Sequence, residues 1–404
     1  MKIAVIGQGY VGLTVAVGAA SAGHIVVGID TNVSLINEIT KGNTHVPGID
    51  ISLLKASIRK GSYIPSSNFE LLIDCEVIII AVPTPLDRNR KPDLKYLESA
   101  SVQIAEYISD NVLVVNESTS YPGTLRNFIK PLIEVKSNKN LLFAAAPERV
   151  DPGNLDWNLS NTPRIIAGLT EESSIKATDF YSTFCSSVHK VSSPEVAEAA
   201  KLFENTFRQV NIALSNEFSV ISNRIGFSSY EAIKAAATKP FGFMPFYPGV
   251  GVGGHCIPVD PSYLSYVTEL SGGKADFIDL ANKINLNMPN FVVERIEQEL
   301  NVPLRNLRVQ IAGIAYKVGV SDLRESPALL LINELESRGA IVTWCDPLVS
   351  IYQGISTTDL DPSVDLGLIV TPHSQIDFSV WAEAKTKVLD LSSNSVDYGW
   401  PKFL

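Results

Sequence analysis

One glycine-rich stretch sets a cysteine between a histidine and an aspartate: Gly251-Val252-Gly253-Gly254-His255-Cys256-Ile257-Pro258-Val259-Asp260. A thiolate at Cys256 could attack an aldehyde to form a thiohemiacetal, and loss of hydride would leave a thioester. The glycines ahead of it clear space for a reactant, and His255 and Asp260 supply polar flanks. The alternative is a small buried hydrophobe, the usual state of an unpaired cysteine. That alternative suits Cys75 and Cys345, which lie beside or within strand-like runs, and Cys185 has no polar cluster around it. For Cys256, local context leaves both readings open. Lys201 and Asn205 are spaced i, i+4 in a helical pattern and share one face. They are either a solvated surface pair or donors to a developing oxyanion.

A second signal lies at the N-terminus. An apolar run at Lys2–Ile6 leads into Gly7-Gln8-Gly9-Tyr10-Val11-Gly12 and then an apolar helix. The first glycine permits a tight turn, the second lets a pyrophosphate approach the backbone, and the third lets helix pack on strand. The N–H groups opening the helix would face the phosphates. Asp30 closes the next apolar run, where an acid meets a ribose hydroxyl and repels a 2′-phosphate. The motif in this context predicts NAD rather than NADP; the alternative is a glycine-rich turn without a ligand.

These residues need a scaffold. Apolar runs at Lys2–Ile6, Ile25–Ile29, 77–82, 112–115 and 141–146 alternate with helical stretches such as 13–22 and 96–108, which predicts a parallel sheet covered on both faces. Runs at 163–168 and 188–191 add strands. Residues 195–224 lack Pro and Gly, and Val196, Ala199, Ala200, Phe203, Phe207, Val210 and Leu214 keep helical spacing, so one long helix follows. The segment 239–261, rich in Gly, Pro and aromatics, is a long loop of the kind that holds sites. A second α/β region starts near Leu307, with strands at 309–314, 340–344, 366–370 and 387–391. The fold class is therefore α/β, with two Rossmann-like doubly wound domains joined by a long central helix. The expected division is 1–192, 193–300 and 301–404.

Composition fits this plan. The 404 residues are 45% hydrophobic and 19% charged, enough for more than one core. A net charge of -10 argues against nucleic acid as a partner, while local Lys and Arg could still hold a diphosphate. The four cysteines form no CxxC, so neither zinc nor a disulfide framework is expected, and a reducing cytoplasm is. The N-terminal stretch has some likeness to a secretory signal, but Gly7, Gly9 and Gly12 interrupt its apolar region. No run is as long as a membrane span.

Seven segments in order resemble the UDP-glucose/GDP-mannose dehydrogenase superfamily: GQGYVG at 7–12, VPTP at 82–85, ESTSYPGT at 117–124, PERVDPGN at 147–154, EAAKLFENTFR at 198–208, GVGGHCIPVDP at 251–261 and GIAYKVGVSDLRESP at 313–327. The resemblance spans nearly the whole chain. It implies an NAD domain, a helical middle that dimerises and a C-terminal domain for the nucleotide of the sugar. It implies two successive oxidations of a sugar CH2OH, with Cys256 as nucleophile, Lys201 and Asn205 steadying oxyanions, and Asp260 and Thr119 holding a water. Glu148 resembles the base for thioester hydrolysis. Pro83, Thr84, Thr119 and Arg324 would lie with the NAD residues Gly7, Gly9, Tyr10, Val11, Gly12 and Asp30. Glu148, Arg149, Lys201, Asn205, Lys239, Phe246, Tyr247, Gly249, Gly253 and Lys317 would meet the UDP-sugar, Lys317 at its diphosphate. Pro152 departs from UDP-glucose dehydrogenases, which typically have Glu there. The ERxxPG form and the segment Lys239-Pro240-Phe241-Gly242-Phe243-Met244-Pro245-Phe246-Tyr247-Pro248-Gly249 resemble the branch acting on 2-acetamido sugars, most of all UDP-N-acetylglucosamine, with UDP-N-acetylmannosamine beside it. UDP-glucose is a third substrate to weigh. The rivals are a non-catalytic nucleotide-binding paralogue and a one-step alcohol dehydrogenase. The joint presence of Cys256, Lys201, Asn205, Asp260 and Glu148 speaks against the first. The second needs no cysteine.

Overall fold

Aliphatic runs without polar alternation are covered on both faces, and the computed structural model shows this arrangement. It describes residues 1–404 except Pro47, 151–153, Leu155, Asn394, Ser395 and Asp397, so Pro152 lies outside the described residues. The chain divides into two units, Met1–Glu204 with Ser262–Gly273, and Asn205–Pro261 with Lys274–Leu404.

In the first unit the strands are β1 (Lys2–Ile6), β2 (Ile25–Ile29), β3 (Tyr63–Ser66), β4 (Val77–Ile80), β5 (Leu113–Asn116), β6 (Leu142–Ala145), β7 (Arg164–Gly168) and β8 (Val188–Lys190). They form one sheet in the order β3-β2-β1-β4-β5-β6-β7-β8. All neighbours are parallel except β6 and β7. The helices are α1 (Tyr10–Ser21), α2 (Val33–Thr40), α3 (Ile51–Lys60), α4 (Lys95–Tyr107), α5 (Lys130–Ser137) and α6 (Glu171–Tyr181). Side chains of β1 alternate between two cores: Ile3 and Val5 pack with Leu13, Leu54 and Phe180, while Ala4 and Ile6 pack with Leu97, Ile104 and Ile133. Because β2 and β4 flank β1, the strand order reverses there, and the carboxyl end of β1 is the switch point where such sheets bind ligands. Strand β3 was not expected from sequence. It is short and contains Pro65, which an edge strand tolerates.

The expected long helix is α7 (Pro194–Ile225), and the boundary between the units falls within it. Next come α8 (Ser229–Ala236), α9 (Asp260–Leu270) and α10 (Asp276–Leu300), which has Pro289 inside. The second unit then builds β9 (Arg308–Ala312), α11 (Pro327–Ser337), β10 (Ile341–Cys345), a small hairpin of β11 (Ile351–Tyr352) and β12 (Ile355–Ser356), β13 (Leu366–Ile369), α12 (Ser379–Ala384) and β14 (Val388–Asp390). Its sheet runs β10-β9-β13-β14, all parallel, so β9 is again a central strand with neighbours on opposite sides. Val309, Ile311, Leu331 and Leu335 make one core; Ala312, Ile369 and Trp381 make the other. The fold class is thus the doubly wound α/β pair expected. Among the described residues, no helix is long and apolar enough to cross a membrane.

The turn after β1 depends on close approach. A Cβ on Gly12 would stand 1.8 Å from the Gly7 carbonyl oxygen, whereas one on Gly9 would meet nothing within 4 Å. Gly12→Ala is therefore expected to lose at least about 1–3 kcal/mol to overpacking, and Gly9→Ala to stay within about 0.5 kcal/mol of wild type, as for a surface change. Urea unfolding of both variants checks this; equal midpoints would contradict it.

Candidate active site

Gly9 is the N-cap of α1 and has no side chain to satisfy the helix's opening N–H groups. The open space above it and those donors suit a pyrophosphate. Asp30 lies beyond the end of β2, half-buried. One oxygen accepts from the Gln8 backbone N–H at 2.8 Å and the other from that of Asn32 at 2.8 Å. Each oxygen keeps a lone pair for a ribose hydroxyl. Beneath the turn, Gln8 is fully buried. Its amide donates to Val5 and Gly7 carbonyls, and its oxygen accepts from the Tyr63 hydroxyl at 2.6 Å. Burial raises the Tyr63 phenol well above its usual range, which keeps it a donor. Tyr10 and Val11 open the helix, half-buried, with Tyr10 edge-on to His45 at 6.1 Å. The residues fit NAD.

Around the same sheet end, Pro83 is exposed, while the buried Thr84 has its carbonyl held by the Tyr263 hydroxyl at 3.0 Å. Thr119 sits half-buried in the loop after β5. That loop is heavily tied. Ser118 Oγ accepts from Val82 N–H at 2.9 Å, and Asn116 Nδ2 donates to Ser118 O and Ser120 Oγ. Glu198 of α7 accepts from Gly123 N–H at 2.7 Å, Leu125 N–H at 3.0 Å and Ser120 Oγ at 3.3 Å. Burial pushes the Glu198 carboxyl up to about 7 against these donors.

Glu148 belongs to a second buried cluster. Arg164 donates to Glu148 at 2.7 Å and to Glu117 at 2.9 Å, and Tyr181 donates to the same Glu117 oxygen. Burial pushes the Glu117 carboxyl up to about 7 although Arg164 opposes it. Burial acts on Glu148 too, but Arg164 and the N–H groups of Val150 and Arg149 outweigh it and hold that carboxyl below its usual range. Both Glu148 oxygens are engaged here. Arg149 pairs with Glu204 at 2.6 Å and donates to the Pro163 carbonyl at 2.7 Å.

In the second unit, Cys256 is exposed, whereas Cys75 and Cys185 are buried and Cys345 is half-buried. Burial pushes those three thiols up to about 11. The Cys256 carbonyl accepts from Val259 N–H at 3.1 Å and Asp260 N–H at 2.8 Å, a turn that feeds α9. The buried Asp260 carboxylate accepts from the Asn205 amide at 2.6 Å. The preceding loop lies against the segment after β9. Gly254 has φ +92°, a Cβ on it would stand 2.8 Å from the Tyr316 ring, and its N–H donates to Arg324 O at 3.1 Å. Gly253 lies close against Pro327 and Tyr316. Farther back, Gly249 N–H donates to Asn216 at 3.0 Å, Asn216 to Asn285 at 2.9 Å and Asn285 to Gln209 O at 3.2 Å, while Ser215 donates to Phe246 O at 2.8 Å. Phe246 packs edge-on against Phe207 at 5.9 Å, and the Tyr247 ring lies tilted against Tyr230 at 4.7 Å. Lys239 is exposed over the Phe241 ring.

Lys317 is half-buried in the loop after β9. Arg324 is exposed and donates to both oxygens of Asp322, the shortest contact 2.6 Å. Burial raises the Asp322 carboxyl, but Arg324 and then His255 outweigh it and hold it low. Among the expected residues, the structure brings Asn205, Asp260 and the Cys256 backbone together in one unit and Gly7, Gly9, Gly12 and Asp30 in the other. Lys201 lies on α7, half-buried. Sequence reasoning missed Gln8, Tyr63, Glu117, Arg164, Glu198, Asn216 and Asn285. On α7 a signal existed: Glu198, Asn205, Gln209 and Asn216 recur at helical spacing and are all buried.

Fold and site together define an NAD-dependent oxidoreductase with a cysteine turn. Residues 1–185 match the NAD binding domain of the UDP-glucose/GDP-mannose dehydrogenase family, 195–287 its central domain and 310–397 its UDP binding domain. The chain is similar to a UDP-N-acetyl-D-glucosamine 6-dehydrogenase of Pseudomonas aeruginosa, 33% identical over 98% of this chain and 93% of that one. It is 38% identical to a UDP-N-acetyl-D-mannosamine dehydrogenase of Pyrococcus horikoshii, over 94% and 91%. A solved UDP-D-ManNAc dehydrogenase from Pyrococcus horikoshii superposes with a TM-score of 0.90 at 33% identity, covering 100% of this chain and 97% of that one. The chain belongs to the UDP-glucose/GDP-mannose dehydrogenase family and is an NAD-dependent nucleotide-sugar 6-dehydrogenase.

The exposure contrast among the thiols gives a direct check. Native protein treated with iodoacetamide near neutral pH is expected to take up one equivalent at Cys256 first, and Cys256→Ala to take up none on that timescale. Intact-mass and peptide-mass measurements read it; initial labelling at Cys75, Cys185 or Cys345 would contradict it.

Proposed function

We propose that the enzyme oxidises C6 of a UDP-2-acetamido sugar to the carboxylate, with UDP-N-acetylglucosamine as the first choice of substrate. The observation that carries the chemistry is the exposed Cys256 on a turn braced by Asp260 and Asn205. NAD, when bound, accepts hydride. Removal of a hydride and a proton from the CH2OH gives an aldehyde. The Cys256 thiolate adds to its carbon, and Lys201 and Asn205 steady the oxyanion. Loss of a second hydride leaves a thioester, and water releases the carboxylate and the thiol. Two NAD and one water are consumed per sugar, with two NADH and three protons released. Asp260 and Thr119 hold the attacking water. Glu148, whose oxygens are engaged by Arg164 and backbone N–H groups, contributes a weak base and mainly orders Arg149 and Arg164. Pro83, Thr84 and Arg324 belong to the cofactor side of this reading. Arg149, Lys239, Phe246, Tyr247, Gly249, Gly253 and Lys317 belong to the sugar nucleotide.

The substrate rests on the PERVDPGN and FGFMPFYPG segments and on the Pseudomonas aeruginosa relative. The 38% identity to the Pyrococcus horikoshii protein favours UDP-N-acetylmannosamine as the second reading. The division 1–192, 193–300 and 301–404 and a cytoplasmic location belong to the same proposal; four cysteines far apart in sequence and without a CxxC support the latter. A homodimer or higher homo-oligomer is supported by α7, where Phe203, Phe207, Leu214, Ile221 and Ile225 form an exposed apolar stripe.

A panel of UDP- and GDP-sugars assayed for NADH tests the reaction. The expected result is the highest kcat/KM with UDP-N-acetylglucosamine, two NADH per sugar, and loss of uronate formation in Cys256→Ala. A higher kcat/KM for UDP-glucose would overturn the branch, and near wild-type turnover by Cys256→Ala would overturn the thioester route. For the dimer, sedimentation of Leu214→Glu is expected to show monomer where wild type shows dimer. A wild-type monomer, or a variant that remains dimeric, would remove that proposal.

A further inference from the structure

The second unit repeats the switch point of the first at β9, yet uses its acid differently. Asp346 follows β10 as Asp30 follows β2, but it is fully buried. One oxygen accepts from Ile314 N–H at 2.8 Å and Ala315 N–H at 3.0 Å, and the other from Leu348 N–H at 2.9 Å. It is not placed to meet a ribose. Behind it stands His373, 1% exposed, in the segment after β13. His373 Nδ1 accepts from Gly319 N–H at 3.1 Å. Its Nε2 lies 3.3 Å from Asp346, within ion-pair range but off the hydrogen-bond line. An Nδ1 that accepts requires the proton on Nε2, on the side of the carboxylate, so Asp346 favours the tautomer that holds Gly319.

The loop between these anchors runs from Gly313 to Gly319 and contains Lys317. Its start is pinned by Asp346 and by Thr371, whose hydroxyl donates to Ala315 O at 2.7 Å, and by Ser326, which donates to Ile314 O at 2.7 Å. The Gly319 N–H bond to His373 secures its far end, at a residue with φ +79°.

We propose that His373, oriented by Asp346, is a positioning residue that sets the conformation of the Lys317 loop and thereby the affinity for the uridine diphosphate part of the substrate. The inference rests on the reading that this loop receives the nucleotide diphosphate. His373 touches no substrate atom; it acts through the Gly319 backbone.

The two ring nitrogens allow a discriminating test. In His373→Asn the side-chain oxygen stands near the Nδ1 position and can accept from Gly319, whereas in His373→Gln the carbonyl reaches toward the Nε2 position. Binding of UDP to the full-length chain is measured by calorimetry for wild type, His373→Asn, His373→Gln and Lys317→Met, with NAD binding measured on the same samples. The expected result is near wild-type UDP affinity in His373→Asn and a loss of about tenfold in His373→Gln, the scale of one hydrogen bond, with NAD binding unchanged in both. Lys317→Met should weaken UDP in the wild-type background. If wild type fails to bind UDP, or Lys317→Met binds it as well as wild type, the reading beneath the inference fails. If those two behave as expected but Asn and Gln variants bind UDP equally, or lose NAD binding in step with UDP, the positioning role is overturned and the reading stands.

Discussion

A carboxylate at the carboxyl end of one parallel strand fixes the turn that leaves its neighbour, and this happens twice in the chain. The last residues of a parallel strand leave backbone N–H groups pointing beyond the sheet, and the following turn must satisfy them or offer them to a ligand. Asp30 takes the Gln8 N–H after β1, and Asp346 takes two N–H groups after β9. In the first unit the acid is half-buried and can meet a ligand hydroxyl as well. In the second it is buried and committed to protein. One geometric device therefore leaves its acid half-exposed beside the turn in one sheet and buries it against the protein in the other.

Helix α7 inverts the usual pattern of a surface helix. Glu198, Asn205, Gln209, Asn216 and Ser219 are buried, while Phe203, Phe207, Leu214 and Ile225 are exposed. Burying polar groups is costly unless each is bonded. Here Glu198 holds the Thr119 loop, Asn205 braces Asp260, and Asn216 suspends Gly249. The polar face thus specifies loops that lack regular structure of their own. The apolar residues Phe203, Leu214 and Ile225 stay exposed on the other side of the helix.

Much of this was legible in sequence, and the limits have physical causes. The core strands were readable because both faces are covered, leaving uninterrupted aliphatic runs such as Val77–Ile80. Strand β3 was not, because an edge strand of four residues with a proline carries little hydrophobic signal. The turn after β1 was legible because backbone contact admits only glycine at Gly12. The helical spacing of α7 was readable, but its apolar residues gave no indication that they face outward. Gln8 and Tyr63 are far apart in sequence, so their bond beneath the turn could not be read from either residue. The same holds for Arg164 between Glu117 and Glu148: each looks like an ordinary charge until the fold buries all three.

That cluster also bears on how one unit can hold two unlike carboxylates. Glu117 and Glu148 share one guanidinium, whose single positive charge cannot neutralise two buried carboxylates, so their remaining donors decide which is the better anion. Glu148 has two backbone N–H donors in addition, and with Arg164 they outweigh burial and hold its carboxyl below the usual range. Glu117 has Tyr181 but leaves one oxygen without a partner, so burial prevails and its carboxyl is pushed up to about 7. The asymmetry arises from where the chain turns: Glu148 leads a turn whose own N–H groups fold back onto it, while Glu117 ends at a strand. Arg149 follows directly from that turn and is thereby directed to Glu204 on α7. The buried charges thus hold the backbone at Arg149 and Val150, and the same N–H groups set the two carboxylates apart in acidity.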